Sequence, residues 1–460
     1  MLKVKVPTTC SEELRYTISV VFTELLVTDY LLETHEDSTI SMAFTGSEKN
    51  LQINNDFFSK AQHCWLEKDS LPTLPLAHWD VSKEGFSPKL LDAKLPVIFG
   101  EPEIQRVSEG NVLKLDVFGS IFFMLSRYEE AVEQERDEFD RFPAKASVAF
   151  KENFLNRPIV DEYLAILEHC ITALWPDISL QKPEYKKFIT CDTDWPFEPT
   201  RRSFKKMTRS SARSVLVEKN VKKALNTIFG YIKNCFGLEQ ADPHRDAVNW
   251  IMEENEKVGN KVAFYFITVN TSHLDNNDDF DSDSVRSMFN EIHSRGHEIG
   301  VHPGFETYAN ASLVKQTVDK LKQIFQEEGI TQKVIGGRQH YLKWDVTKTP
   351  RFWDENGLQY DSTLMYAEMA GFRCGTCREY SMYDIIRRKP LKLKQRPLLT
   401  MESTIIAERY EGYGYGEKSL QRFLYFKDIC KQFGGTYTLL WHNCHLLTTD
   451  DRILYKELIS

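Results

Sequence analysis

The sequence predicts an α/β protein: a seven-stranded (β/α) barrel preceded by a smaller mixed α/β domain. Three observations predict it. From Phe188 onward, short apolar segments alternate with amphipathic helical ones, the rhythm of a parallel sheet. There are seven such segments, a number that closes into a barrel more naturally than it lies open. Five of the seven end in polar clusters, and barrels of this type carry their active sites at the C-terminal strand ends.

The chain has 460 residues, too many for one ordinary domain. Residues 1–180 read as the smaller domain. "LRYTISVVFTELLV" has helical spacing, with Leu14, Ile18, Val21, Phe22 and Leu25 on one face. "LPVIFG" fits a short buried strand. "LDVFGSIFFMLSRYEE" reads as a helix with its charges at the end, and the carboxylates after Arg127 as a solvated face. "VDEYLAILEHCITALWP" is a helix stopped by Pro176. Residues 186–460 form the barrel, with strands at "FIT", "KVAFYFITV", "HEIGVH", "VIGGRQH", "YDSTL", "LLTMEST" and "YTLLWHN". Residues 201–240 are a helical insertion. Ten Lys or Arg precede Cys235 there against one Glu. Its bland reading is a solvated basic face, and its sharper one a collar for an anionic substrate.

Composition excludes several classes. A hydrophobic content of 42% with 12% aromatics suffices for packed cores, and a net charge of −9 offers no general field for nucleic acid. No segment has the length of a signal peptide's apolar run or of a membrane span, so a cytoplasmic protein is expected. The nine cysteines are odd in number and mostly lie in apolar segments, as small core residues do. Cys374 and Cys377 in "CGTC" lack the context of a redox or zinc motif. "DNNDDFDSDS" from Asp275 fails the calcium-loop template: Phe280 stands where glycine must turn, and Arg286 where a glutamate must ligate.

The polar strand ends carry the chemistry. In "GHEIGVHPG", His297 and His302 lie five apart. On a strand that spacing puts side chains on opposite faces, about 16 Å apart, so one metal cannot take both. His302, at the C-terminal end, is the functional candidate, and His297 is structural. Asp192 and Asp194 in "TCDTDWP" can face one cavity and divide the roles of metal ligand and base. Arg338 and His340 share a face in "GGRQHYL", and an arginine beside a catalytic carboxylate keeps it ionised. His442, ending "YTLLWH", is a candidate general acid.

These motifs, in this order, resemble the polysaccharide deacetylases, the family-four carbohydrate esterases, over about Lys186 to Leu447. "TCDTDWP" stands for the family's Thr-Phe-Asp-Asp-Gly-Pro, and "GHEIGVHPGFET" for Gly-His-Glu-Ile-Gly-Asn-His-Thr-x-x-His-Pro. "RQHYL" stands for Arg-Pro-Pro-Tyr-Gly, "LLWHN" for Leu-x-x-His, and Asp361 in "YDSTL" for a common strand end. The resemblance implies a distorted barrel and a divalent metal, zinc first. It implies a small or polymeric acetylated carbohydrate as substrate and a step in bacterial surface-polysaccharide synthesis. It casts Asp192 as base, Asp194 and His302 as metal ligands, Arg338 as the base's partner, the Tyr341 N–H as oxyanion donor and His442 as acid. Thr193 separates the two aspartates, so their roles are exchangeable. The family's second metal histidine falls at Glu306, leaving Glu306 or His340 as third ligand. Trp195, Trp344 and Tyr366 are candidates to stack on a sugar, with Asp361 beside them. The rivals are an amidase acting on another non-peptide C–N bond and a non-catalytic carbohydrate-binding protein.

Overall fold

The computed structural model describes the chain except residues 10, 86, 87, 182, 237, 239–241 and 277. Positions 237, 239 and 240 of the expected insertion 201–240 therefore lie outside the described residues. The first strands are β1 (Leu2–Pro7), β2 (Tyr30–His35), β3 (Ile40–Phe44), β4 (Asn50–Ile53), β5 (Ala77–Asp80), β6 (Lys94–Val97), β7 (Gly100–Val107) and β8 (Gly110–Leu115). Six of them form one mixed sheet in the order β2-β1-β3-β4-β8-β7, and β5 and β6 pair separately. Helix Val117–Leu125, "VFGSIFFML", is buried on every side, which is why it reads as an unbroken apolar run. The Asp116 carboxylate caps it through the Gly119 N–H and also accepts the Phe57 N–H, each at 2.8 Å.

The larger sheet contains β9 (Lys186–Thr193), β10 (Val262–Phe266), β11 (Glu298–Val301), β12 (Gly336–Gly337), β13 (Tyr360–Asp361), β14 (Tyr380–Asp384), β15 (Lys389–Gln395), β16 (Thr400–Met401) and β17 (Thr436–His442). Its order is β14-β15-β13-β12-β11-β10-β9-β17-β16. All seven expected strands are present and run parallel. The closed seven-stranded barrel is not. The hairpin β14–β15 extends the edge beyond β13, with only β14 antiparallel. Among the described residues no pairing joins β14 to β16, so the sheet stays open. The alternation of Leu391, Leu393 and Gln395, all buried, was the signal for β15.

The reason for the open edge is what covers it. The first half of the chain packs on the hairpin. Tyr16 donates to the Ser381 carbonyl at 2.6 Å, Tyr383 donates to Glu13 at 2.8 Å, and Phe122 meets the Tyr383 ring edge-on. One apolar core runs from Leu2 to Ile459 through both halves. The carboxylates after Arg127 are not a solvated face: Glu129 and Glu130 are buried with Arg127 and with Arg373 of the second half.

Candidate functional site

Parallel strands deliver their C-terminal ends to one edge, and the polar residues gather there around a cavity of about 200 Å³. Two glycines set the spacing. A Cβ on Gly337 would lie 1.9 Å from the Val301 carbonyl oxygen, and one on Gly336 2.2 Å from the Tyr360 ring. Only glycine lets β12 seat between β11 and β13, and that seat carries Arg338 to Asp192, which lines the cavity.

Arg338 is fully buried. It donates to Asp192 Oδ1 at 2.7 Å, to Thr190 Oγ1 at 2.9 Å and to the Ser362 carbonyl at 2.7 Å. The charge-assisted bond fixes one oxygen of Asp192. The other, Oδ2, lies 3.8 Å from His302 Nε2. Asp194 Oδ1 lies 3.2 Å from the same nitrogen and 3.8 Å from His340 Nε2. The candidate ligand atoms of Asp194, His302 and His340 all lie within 4.8 Å of one another.

Two observations test whether a metal fits. Asp194 Oδ1 and His302 Nε2 are both buried and lie 3.2 Å apart with no hydrogen-bond partner besides each other, a pair that a shared cation would satisfy. Each histidine is also oriented from behind: His302 Nδ1 bonds the Arg338 carbonyl at 2.6 Å, and His340 Nδ1 bonds Asp275 at 2.8 Å. With Nδ1 carrying the proton, Nε2 presents its lone pair to the cavity, as metal-binding histidines do. One carboxylate and two imidazoles are a donor set that would suit zinc. Burial disfavours a charged Asp194, but His442, His302 and His340 outweigh it and hold the carboxyl far below the usual range.

Opposite Asp194 stands His442, with Nε2 3.9 Å from Asp194 Oδ2 and Nδ1 bonded to the buried Glu402. Burial pushes its proton affinity down, and the charges of Glu402 and Asp194 more than reverse that, to about 10. His445 bonds the same Glu402 oxygen at 2.8 Å.

Several expectations need correction. Glu306 is exposed and outside the ligand cluster: the turn after His302 ties the Phe305 N–H to Asp275 and the Glu306 N–H to Thr271, which leaves the Glu306 side chain in solvent. Trp344 is buried edge-on against Trp353. Tyr366 is buried beneath the Arg373 guanidinium, its hydroxyl 3.3 Å from Arg127. Asp361 is buried and accepts the Thr363 N–H at 2.9 Å, its carboxyl pushed up by burial to about 7. Trp195 lies under Lys206 Nζ, 4.0 Å from the ring centre. None of these four lines the cavity. Tyr341 does, at φ +60°, a backbone region that L-residues rarely occupy. His297 sits at the start of β11, where Nδ1 accepts the Val262 N–H at 3.1 Å and Nε2 meets Glu256 at 3.0 Å.

Sequence reasoning missed three participants. Asp275 opens the acidic loop, but it is buried and also accepts the N–H groups of Thr271, Ser272 and Phe305. Glu402 follows β16 directly, a strand-end position that was a usable signal. Arg141 comes from the first half of the chain. It lines the cavity, pairs with Asp137 at 2.7 Å and donates to the Tyr341 carbonyl at 3.0 Å, pinning the strained residue while Phe139 packs on its ring. No local pattern announced it. Asp275→Ala is expected to weaken divalent metal binding by about 10- to 100-fold, measured by competition with a chelating dye, because His340 loses its orienting acceptor.

Residues 2–176 match DUF7033, a family of unknown function. No curated protein matches the chain. Among solved structures, one from Mycobacterium smegmatis named as a polysaccharide deacetylase is similar at 14% identity, with 62% of this chain and 84% of that one covered and a TM-score of 0.39. PuuE allantoinase is similar at 12%, covering 62% and 85%, with a TM-score of 0.37. A probable polysaccharide deacetylase from Pseudomonas aeruginosa PAO1 is similar at 12%, covering 60% and 84%, with a TM-score of 0.37. The three are named as deacetylases or an allantoinase, and each aligns with about three-fifths of this chain.

Proposed function

We propose that the chain is a zinc-dependent hydrolase that removes the acetyl group of an N- or O-acetylated sugar. The observation that carries the reading is the convergence of ligand atoms from Asp194, His302 and His340 within 4.8 Å of one another, between two further polar arms. A divalent cation held by Asp194, His302 and His340 would act as Lewis acid toward an acyl oxygen and acidify bound water. Asp192 is the base: Arg338 occupies its Oδ1, so Oδ2, facing the cavity, takes the proton from the attacking water. His442 is the acid. Glu402 holds the proton on Nδ1 and stabilises the imidazolium, which leaves Nε2–H to protonate the departing amine or alkoxide. The bend at Tyr341 turns backbone toward the cavity, where an N–H would stabilise the oxyanion. This assignment gives the two aspartates distinct roles by their neighbours, one with the arginine and one with the histidines.

The test is metal analysis of the purified protein, together with acetate release from a panel of N-acetylated and O-acetylated sugars. His442→Ala is expected to lower turnover by roughly 10²- to 10⁴-fold with zinc content unchanged, since a general acid acts only at the transition state. Turnover at the wild-type level on a substrate that the wild-type enzyme deacetylates would remove His442 from the reaction. Protein that holds no zinc and releases no acetate from any member of the panel would defeat the reading.

A further inference from the structure

The basic insertion is built with its apolar side outward. In its helices Phe204–Leu216 and Val221–Cys235 the buried residues are small or flexible: Met207, Ser211 and Ser214 in the first, Ala224 and Gly230 in the second, with Ser211 Oγ 3.5 Å from the Ala224 carbonyl and Gly230 against Arg201. The large apolar residues are left in solvent. Val221, Leu225, Phe229 and Ile232 are exposed and recur every three or four residues along one side of the second helix, and Phe236 continues the row at 76% exposure. At the tip joining the helices, Leu216 is 77% exposed. A stripe of this length on a water-soluble surface marks an interaction site.

Charge identifies the partner. Residues 201–235 carry a net charge of +9 in a chain of −9, which leaves −18 for the remainder. Lys205, Arg209 and Lys222 are exposed on the hairpin, Lys222 directly beside the stripe's first residue. An apolar row flanked by lysine and arginine is the pattern of a helix lying in a membrane interface, with apolar side chains entering the acyl boundary and cations meeting anionic headgroups. Nucleic acid would use the charges and could stack bases on Phe229 and Phe236, but it would leave the aliphatic Val221, Leu225 and Ile232 idle. A second copy of the same +9 hairpin would bring like charges together. Among the described residues no helix is long and apolar enough to cross a membrane, so the contact is peripheral.

We propose that the hairpin spanning residues 204–236 docks this protein on anionic lipid bilayers. The hairpin begins ten residues after Asp194, and Lys206 lies over Trp195, so the hairpin is held beside the strand end that carries Asp194. The proposal rests on the hairpin alone and stands or falls separately from the deacetylase reading.

The test is co-sedimentation of the full chain with vesicles of phosphatidylcholine, with and without phosphatidylglycerol. The protein is expected to pellet with the mixed vesicles, to be released by high salt and to ignore pure phosphatidylcholine. The double variant Leu225→Ser with Phe229→Ser should bind the mixed vesicles at least about tenfold more weakly. Both side chains are exposed, so its circular dichroism and thermal midpoint should match those of the wild type. Wild-type protein remaining in the supernatant, or a double variant that pellets as well as the wild type, would overturn the proposal. So would a wild-type dimer in sedimentation velocity that the double variant dissociates while vesicles are ignored, since the stripe would then be a self-association face.

Discussion

The His302→Ala variant is expected to purify without zinc, whereas His297→Ala keeps it. The two histidines lie five residues apart and flank one short strand, yet their surroundings differ in kind. His302 Nε2 is buried, unpartnered and faces Asp194 and His340, so its loss leaves two ligands where a catalytic site needs three. The affinity loss should exceed the roughly 100-fold seen when an orienting partner is removed, and activity should fall with occupancy. His297 Nδ1 accepts the Val262 N–H, and Nε2 bonds Glu256. Burial lowers its proton affinity and keeps it neutral, as an acceptor nitrogen requires. Its removal strands a buried N–H and should lower stability by about 1–3 kcal/mol with metal content intact. Elemental analysis and chemical denaturation of the two variants give the answer. His340→Ala should behave like His302→Ala, and Glu306→Ala like wild type. Zinc retained at full occupancy in His302→Ala would remove it from the metal site.

The second large effect lies where the two halves of the chain meet. Arg373 binds both oxygens of Glu130, at 2.9 and 2.6 Å, and Arg127 bonds Glu130 and Glu129, each at 2.8 Å. All four side chains are buried, and two cations balance two anions. Glu130→Ala leaves two guanidinium groups in apolar surroundings with one carboxylate between them. Removal of one partner from a buried pair typically costs about 3–5 kcal/mol, and that loss is expected in urea unfolding. Replacing the network by apolar residues of similar volume should be far milder, because no charge is stranded. The pH dependence has a definite sign. Burial works against ionised Glu130, but Arg373 and Arg127 prevail and hold its pKa at about 2, below the ordinary 4.5. A depressed carboxyl contributes stability that is fully present above about pH 4.5 and is lost as the pH falls toward 2. Glu130→Gln should therefore flatten the acid limb of the stability curve relative to wild type. An unchanged acid limb would show that the network does not carry that pH dependence.

The carboxylates of "SRYEE" were expected on a solvated helix face, and that expectation failed. Arg127, Glu129 and Glu130 sit in a polar, charge-dense stretch, and local pattern cannot show that a complementary arginine waits more than 240 residues away. Arg141 reaches the cavity across 200 residues of sequence to hold the Tyr341 carbonyl. The sugar-stacking candidates failed differently. Trp344 and Tyr366 lie near the strand ends in sequence, but large rings are worth most where water is fully excluded, and both went into the core.

The sequence by itself determined what backbone periodicity can determine. Strand–helix alternation set a parallel sheet, parallel strands put their C-terminal ends together, and the two-residue period separated His297 from His302. Those relations are local and hold wherever the strands lie. Only the tertiary structure set His340 beside Asp194 and His302 and left Glu306 in solvent, gave His340 its acceptor in Asp275 and His442 its partner in Glu402, and opened the sheet by adding the β14–β15 hairpin. These pairs are 65 and 40 residues apart in the chain. Their contact is fixed by which strands become neighbours and by what is buried between them, and no spacing within a single segment encodes that.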